Sequence, residues 1–252
     1  MHIRDLREVI QMANKKTSKE SLERHSMLGA AMNFATAEAY KVLRTNILFS
    51  FSEADGCKVI GVTSSFKGEG KSITSLNLCY TIAETCKKIL IIEGDMRMPT
   101  FAKRLKLKAD PGLSDALVGI KPVKECIQQR VSEGDNPVSI DILVSGTIPP
   151  NPSELMGSEK MKDLLAELKT QYDYIILDLP PVTAVTDALI ASNIVDGMIV
   201  VVRHNIAVRR VLNETMRQLS LVNCKILGFV YNGAEGSSKG YYHKKNYYYY
   251  KQ

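Results

Sequence analysis

The sequence predicts a doubly wound α/β fold with a mostly parallel sheet, and three observations predict it. Short runs of apolar, β-branched residues alternate with helical stretches over about 200 residues. The runs are apolar throughout instead of alternating, which is the pattern of strands covered by helices on both faces. The chain is 252 residues long, 45% hydrophobic and 24% charged, enough for one sizeable core.

The elements follow in order. Residues 1–35 read as a polar, charge-mixed arm with a short helical pattern at Ile3, Leu6 and Ile10. Over 36–51, Ala39, Val42, Leu43, Ile47 and Leu48 recur at helical spacing. A strand at 59–63 leads to a helix at 73–86 and a strand at 89–92. A less regular region follows, with a short helix near 113–118. A strand at 140–144 and a helix at 160–169 come next. Strands at 174–177, 198–202 and 226–230 complete the set, separated by helices near 184–193 and 208–221. The folded domain is thus expected over 36–232. Beyond Asn232 the sequence Gly-Ala-Glu-Gly-Ser-Ser-Lys-Gly has linker composition, and 233–252 is expected to be a disordered tail.

Charge and cysteine usage narrow the function classes. The chain carries 33 basic and 27 acidic side chains, yet residues 26–238 hold 23 of each, so the net +6 belongs to the two ends. A neutral body argues against nucleic acid as a partner. Five cysteines with no CxxC pair favour a reducing cytoplasm over a disulfide framework or a zinc site. No run approaches the ~18–20 apolar residues that span a bilayer, and no secretory h-region is expected at the N-terminus. The tyrosines are skewed: six of eleven (Tyr241, Tyr242, Tyr247, Tyr248, Tyr249 and Tyr250) fall in the last twelve residues, which core packing does not explain.

The strand at 59–63 runs into Ser64-Ser65-Phe66-Lys67-Gly68-Glu69-Gly70-Lys71-Ser72-Ile73 and then a helix, the context of a phosphate-binding P-loop. Gly68 and Gly70 let backbone N–H groups surround phosphate oxygens, and the helix N-terminus adds its positive dipole end. Lys71 suits the β- and γ-phosphates and the Ser72 hydroxyl suits Mg²⁺. Ser65 stands where GxxxxGK[ST] has its first glycine. Two further strands end in carboxylates: Glu93 and Asp95 after 89–92, and Asp178 in Leu177-Asp178-Leu179-Pro180-Pro181, a Walker B form. Carboxyl ends of parallel strands are where α/β folds bind ligands. The sheet is therefore expected to be of the P-loop NTPase type, holding a nucleoside triphosphate with Mg²⁺.

The combination resembles the bacterial tyrosine kinases (BY-kinases) of capsule and exopolysaccharide biosynthesis, over residues 38–252. The loop Gly68-Glu69-Gly70-Lys71-Ser72, the acidic Walker A′ segment ending Asp95-Met96-Arg97-Met98-Pro99, the Walker B segment, Pro149-Pro150-Asn151-Pro152-Ser153-Glu154-Leu155 and the tyrosine cluster carry the likeness. It implies a protein-tyrosine autokinase that transfers the ATP γ-phosphate, mainly in trans, to tyrosines of its own cluster. It also implies ATP contact by residues 65–73 with Arg97 and Asn232. Ser72, Glu93, Asp95 and Asp178 are the implied metal set, with Lys71, Glu93 and Asp95 catalytic. An assembly motif at Glu38, Lys41 and Arg44 implies a homo-oligomeric ring, an octamer. The implied partners are a transmembrane chain-length regulator, which would hold the chain at the inner face of the membrane, and a cognate tyrosine phosphatase.

Three positions depart from the family pattern: Glu93 stands where Asp is usual, Lys41 where Arg is, and Lys67 where proline is common. Two other readings share the P-loop. One is a partition- or division-site switch ATPase that hydrolyses ATP to control assembly. Such ATPases carry a signature lysine at the position of Phe66, and Lys67 lies one residue off. The other is a nucleotide-binding module that only presents the tail.

Overall fold

The computed structural model describes residues 34–51, 56–132 and 137–233. Most of the expected arm, the tail, and with it all six tyrosines from Tyr241 to Tyr250 lie outside the described residues. Helix α1 (Phe34–Ser50) precedes β1 (Lys58–Ser64), α2 (Lys71–Ala83) and β2 (Ile89–Glu93). Three short helices, α3 (Phe101–Leu105), α4 (Leu113–Val118) and α5 (Val123–Cys126), lead to β3 (Ile127–Val131) and β4 (Ser139–Leu143). Then come α6 (Pro152–Met156), α7 (Glu159–Lys169), β5 (Tyr174–Asp178), α8 (Asp187–Ala191), β6 (Gly197–Arg203), α9 (Arg209–Leu221) and β7 (Ile226–Asn232).

The strands form one sheet in the order β3-β4-β2-β5-β1-β6-β7. Every neighbouring pair is parallel except β3 and β4. The unbroken apolar character of the strands is explained by the two cores, which divide each strand by its period of two. Val59, Leu90, Ile92, Ile175, Leu177 and Val200 face one side, under α4, α7, α8 and α9. Ile60, Val62, Ile91, Ile176, Ile199 and Val201 face the other, under α2 and α3, with Ile47 of α1. No helix among the described residues is long and apolar enough to cross a membrane.

Four elements were not expected from the sequence: α3, α5, α6 and β3. Each is five residues or fewer, shorter than the window in which periodicity can be read. β3 is also the sheet's antiparallel edge, and its residues Ile127-Gln128-Gln129-Arg130-Val131 are half-buried or exposed. Its polar character fits an edge strand. Helix α2 starts two residues before the expected 73, at Lys71, and α8 is shorter than the stretch expected at 184–193.

Candidate active site

Strand order assembles the site. β2, β5 and β1 are adjacent and parallel, so their carboxyl ends lie side by side: Glu93 pairs with Asp178 in register, and Asp178 with Val62 two residues before the end of β1. Three segments far apart in sequence therefore leave the sheet at one edge.

The loop between β1 and α2 is shaped by glycines and by its own acid. Gly68 and Gly70 have φ of 89° and 96°, a left-handed conformation that costs an L-residue ~1–2 kcal/mol. A Cβ on Gly70 would also collide with the Asn232 side chain. Glu69 is fully buried inside the loop; its Oε2 accepts the Phe66 N–H at 2.7 Å and its Oε1 the Arg203 N–H at 3.4 Å. From β6 the Arg203 guanidinium donates to Gly68 O at 3.1 Å, and from β7 Asn232 Nδ2 donates to Glu69 O at 2.9 Å. Asn232 thus braces the loop from behind. The N–H groups of the first turn of α2, among them Ile73, have no acceptor within the helix. The loop is built to leave them for phosphate.

The expected catalytic side chains meet at the mouth of this loop. Lys71 Nζ lies 3.0 Å from Asp95 Oδ2 and 3.7 Å from Asp178 Oδ2. Ser72 Oγ donates to Asp178 Oδ2 at 2.6 Å, and Ser75 Oγ contacts Asp178 Oδ1 at 3.1 Å. Burial acts to lower the Lys71 pKa, but attraction by Asp178 and Asp95 outweighs it and the net shift is upward. Asp178 is shifted upward by burial, against the pull of Lys71 and the two serine hydroxyls. Lys71 is therefore a cation in a nearly dry site. The donors around it (a hydroxyl and the carboxylates of Asp95 and Asp178) are oxygens only, the chemistry Mg²⁺ takes.

Two expected residues sit differently. Glu93 is buried and both its oxygens are engaged by backbone: Oε1 accepts the Thr100 and Phe101 N–H groups, the latter at 2.7 Å, and Oε2 accepts Ser145 N–H at 3.2 Å. It closes the entry to α3. Burial raises its pKa and those three donors oppose the rise. Arg97 turns toward Asp187 of α8, with Nε at 3.0 Å from Oδ2 and Nη2 at 3.2 Å from Oδ1. Lys67 is exposed, its Nζ 3.4 Å from Met98 Sδ.

The sequence did not flag Thr183, Thr215 or Asp187. Thr215, fully buried on α9, donates to Ser65 Oγ at 2.9 Å, and Thr183 donates to Ser65 O at 2.5 Å. That is what the serine in place of the first P-loop glycine does: its hydroxyl fastens the loop to α9. On α1, Glu38 pairs with Lys41 at 2.8 Å, while Arg44 reaches Thr81 O on α2 at 2.6 Å.

A family model described as an AAA domain matches residues 57–225. Tyrosine-protein kinase YwqD of Bacillus subtilis (strain 168) is 33% identical over 238 residues, 93% of this chain and 98% of that protein. The chain belongs to the bacterial tyrosine kinases with a P-loop ATPase fold. The kinase is also 33% identical over 221 residues to the putative tyrosine-protein kinase CapB of Staphylococcus aureus, covering 88% of this chain and 92% of that one. Its fold matches the kinase domain of Escherichia coli tyrosine kinase ETK with a TM-score of 0.71 at 27% identity, over 81% of this chain and 80% of that chain. The kinase carries its P-loop, acidic loop and Walker B carboxylate on three adjacent strands.

Proposed function

We propose that the kinase is an autokinase that binds Mg-ATP between residues 65–73 and the carboxylates of Asp95 and Asp178, and passes the γ-phosphate to Tyr241, Tyr242 and the tyrosines at 247–250, chiefly on a neighbouring copy. The observation that carries this reading is the convergence of Lys71, Ser72, Asp95 and Asp178 at one sheet edge. The ammonium of Lys71 meets the β- and γ-phosphate oxygens, and the free N–H groups at the start of α2 meet the rest of the polyphosphate. Ser72, Asp178 and Asp95 would hold Mg²⁺, which supplies neutralisation of phosphate charge as the γ-phosphoryl leaves.

A tyrosine hydroxyl, pKa ~10, needs a positioned proton acceptor during transfer. Asp95 takes that role in this reading: its Oδ1 accepts the Met98 N–H, and its Oδ2 is freed when the Lys71 ammonium turns from it to the phosphates. Glu93, implied by the family likeness as a catalytic and metal-binding residue, takes a shaping role in this reading, since both its oxygens already accept N–H groups. The motif likeness supports work in capsule or exopolysaccharide synthesis, in an oligomeric ring assembled through α1. It also supports a transmembrane chain-length regulator that holds the kinase at the inner membrane face, and a cognate phosphatase that resets it.

Incubation of the full chain with Mg-ATP, followed by mass-spectrometric mapping, should find phosphotyrosine within 241–250 and lose it in Lys71→Met. Phosphate released to water with an unlabelled tail would instead give the switch ATPase, and neither product would give a presenting module.

A further inference from the structure

The segment 149–155 takes no part in the chemistry described above, yet it sits on the acidic loop. Ser153 of α6 donates to Asp187 Oδ1 at 2.5 Å and accepts from Arg97 Nη2 at 2.9 Å. Asp187 is fully buried, and both of its oxygens are taken by the Arg97 fork. A buried carboxylate is costly unless it is paired and hydrogen-bonded, and a planar guanidinium satisfies it bidentately as a lysine cannot. The network joins three segments that are distant in sequence: the loop after β2, α6 and α8. Asp95 lies two residues from Arg97 in that loop, with Oδ2 on Lys71 and Oδ1 on the Met98 N–H at 3.1 Å. At its other end the loop is pressed onto β5, where Gly94 N–H donates to Asp178 O at 2.8 Å and a Cβ on Gly94 would lie 3.0 Å from that oxygen. The loop is therefore fixed at Gly94 and at Arg97, with Asp95 between.

We propose that Asp187 and Ser153 are positioning residues: through Arg97 they hold the acidic loop so that Asp95 stays on Lys71, and this is the part that segment 149–155 plays in phosphotransfer. The inference rests on the reading of Lys71 and Asp95 as the transfer machinery. Loss of the anchor leaves the loop 65–72 in place, because the contacts that shape it come from Glu69, Arg203, Asn232, Thr183 and Thr215, and Mg-ATP loses only the share of its binding that Asp95 gives through Mg²⁺. What suffers is the alignment of Asp95, and misplacement of a catalytic group by about 1 Å costs rate by up to ~100-fold.

The test uses the full chain, with single-turnover tail phosphorylation at saturating Mg-ATP, the Kd of Mg-ATP and the melting temperature measured for each variant. Asp187→Asn should slow transfer by roughly 10- to 100-fold and weaken Mg-ATP binding by a clearly smaller factor. Ser153→Ala, which leaves the fork in place, should slow it by about 3-fold. Arg97→Lys should match Asp187→Asn, and the double variant should be no slower than either single one, as for residues acting as one unit. An unchanged rate in folded Asp187→Asn, or rate losses that multiply in the double variant, would overturn the proposal. So would a loss of Kd equal to the loss of rate. Should Asp187→Asn fail to fold, Ser153→Ala and Arg97→Lys carry the same comparison. A wild-type chain that leaves its tail unlabelled but hydrolyses ATP overturns the autokinase reading instead, and the latch is then read from the hydrolysis rates.

Discussion

Glu93 shows how one methylene changes what a carboxylate can do. It stands at the end of β2, where a shorter acid would stop short of the next turn, and it reaches the N–H groups of Thr100, Phe101 and Ser145. Replacement by Gln leaves one acceptor oxygen and turns an NH₂ group toward backbone donors. Glu93→Gln should therefore cost about 1–3 kcal/mol, read from urea unfolding at pH 7. The pH dependence has a definite sign. The Glu93 pKa is raised by burial, so the folded state binds this proton more tightly than the unfolded chain does. Its contribution is fully present below the ordinary Glu value of about 4.3 and is lost as pH rises through the raised folded value. The Gln variant lacks that step. The gap in stability between the two proteins should widen on acidification, and a gap that does not change with pH would show that the proton is not taken up at Glu93.

At the scale of elements, the P-loop is clamped between β1 and α9 by one pair of hydroxyls. Thr215→Val keeps the shape of the side chain and removes the donor to Ser65, which should cost about 1 kcal/mol. For a domain of this size that lowers the melting temperature by about 2–4 °C. Ser65→Gly added to Thr215→Val should lower it little further, since the pair is already broken; additive losses would show that Ser65 acts through another contact. The pair also shows what sequence can tell. Walker strands and their helices are legible because burial on both faces of a parallel sheet writes itself into runs of Ile, Val and Leu. Lys71, Ser72, Asp95 and Asp178 are legible because their chemistry demands those residue types at strand ends. Thr215 is not legible: it lies 150 residues from Ser65, on a helix whose pattern would accept any small buried side chain. Asp187 likewise reads as an ordinary first-turn acid of a short helix until the fold brings Arg97 to it. The short elements α3, α5, α6 and β3 are absent from the sequence pattern because contacts with the finished sheet, not propensity, hold them.

The whole molecule separates its charge from its chemistry. The body from 26 to 238 is neutral, with 23 basic and 23 acidic side chains, while residues 239–252 carry four lysines and no acid. Each phosphate adds about −1.5 to −2 charges, so four phosphotyrosines reverse the sign of the tail and leave the body unchanged. In the proposed assembly, a basic tail offered to the Asp95 and Asp178 carboxylates of a neighbouring copy would lose that attraction once the tail is labelled. The predicted consequence is that incubation with Mg-ATP shifts the full chain to smaller assemblies in sedimentation velocity, while Lys71→Met keeps its starting distribution under the same treatment. The difference should shrink as salt is raised from about 0.05 M to about 0.5 M, because the Debye length falls below the spacing of exposed charges. An assembly size that is indifferent to tail phosphorylation would place the association energy in the apolar contacts of α1, where Phe34 and Phe49 are more than 80% exposed, and leave the tail as substrate alone.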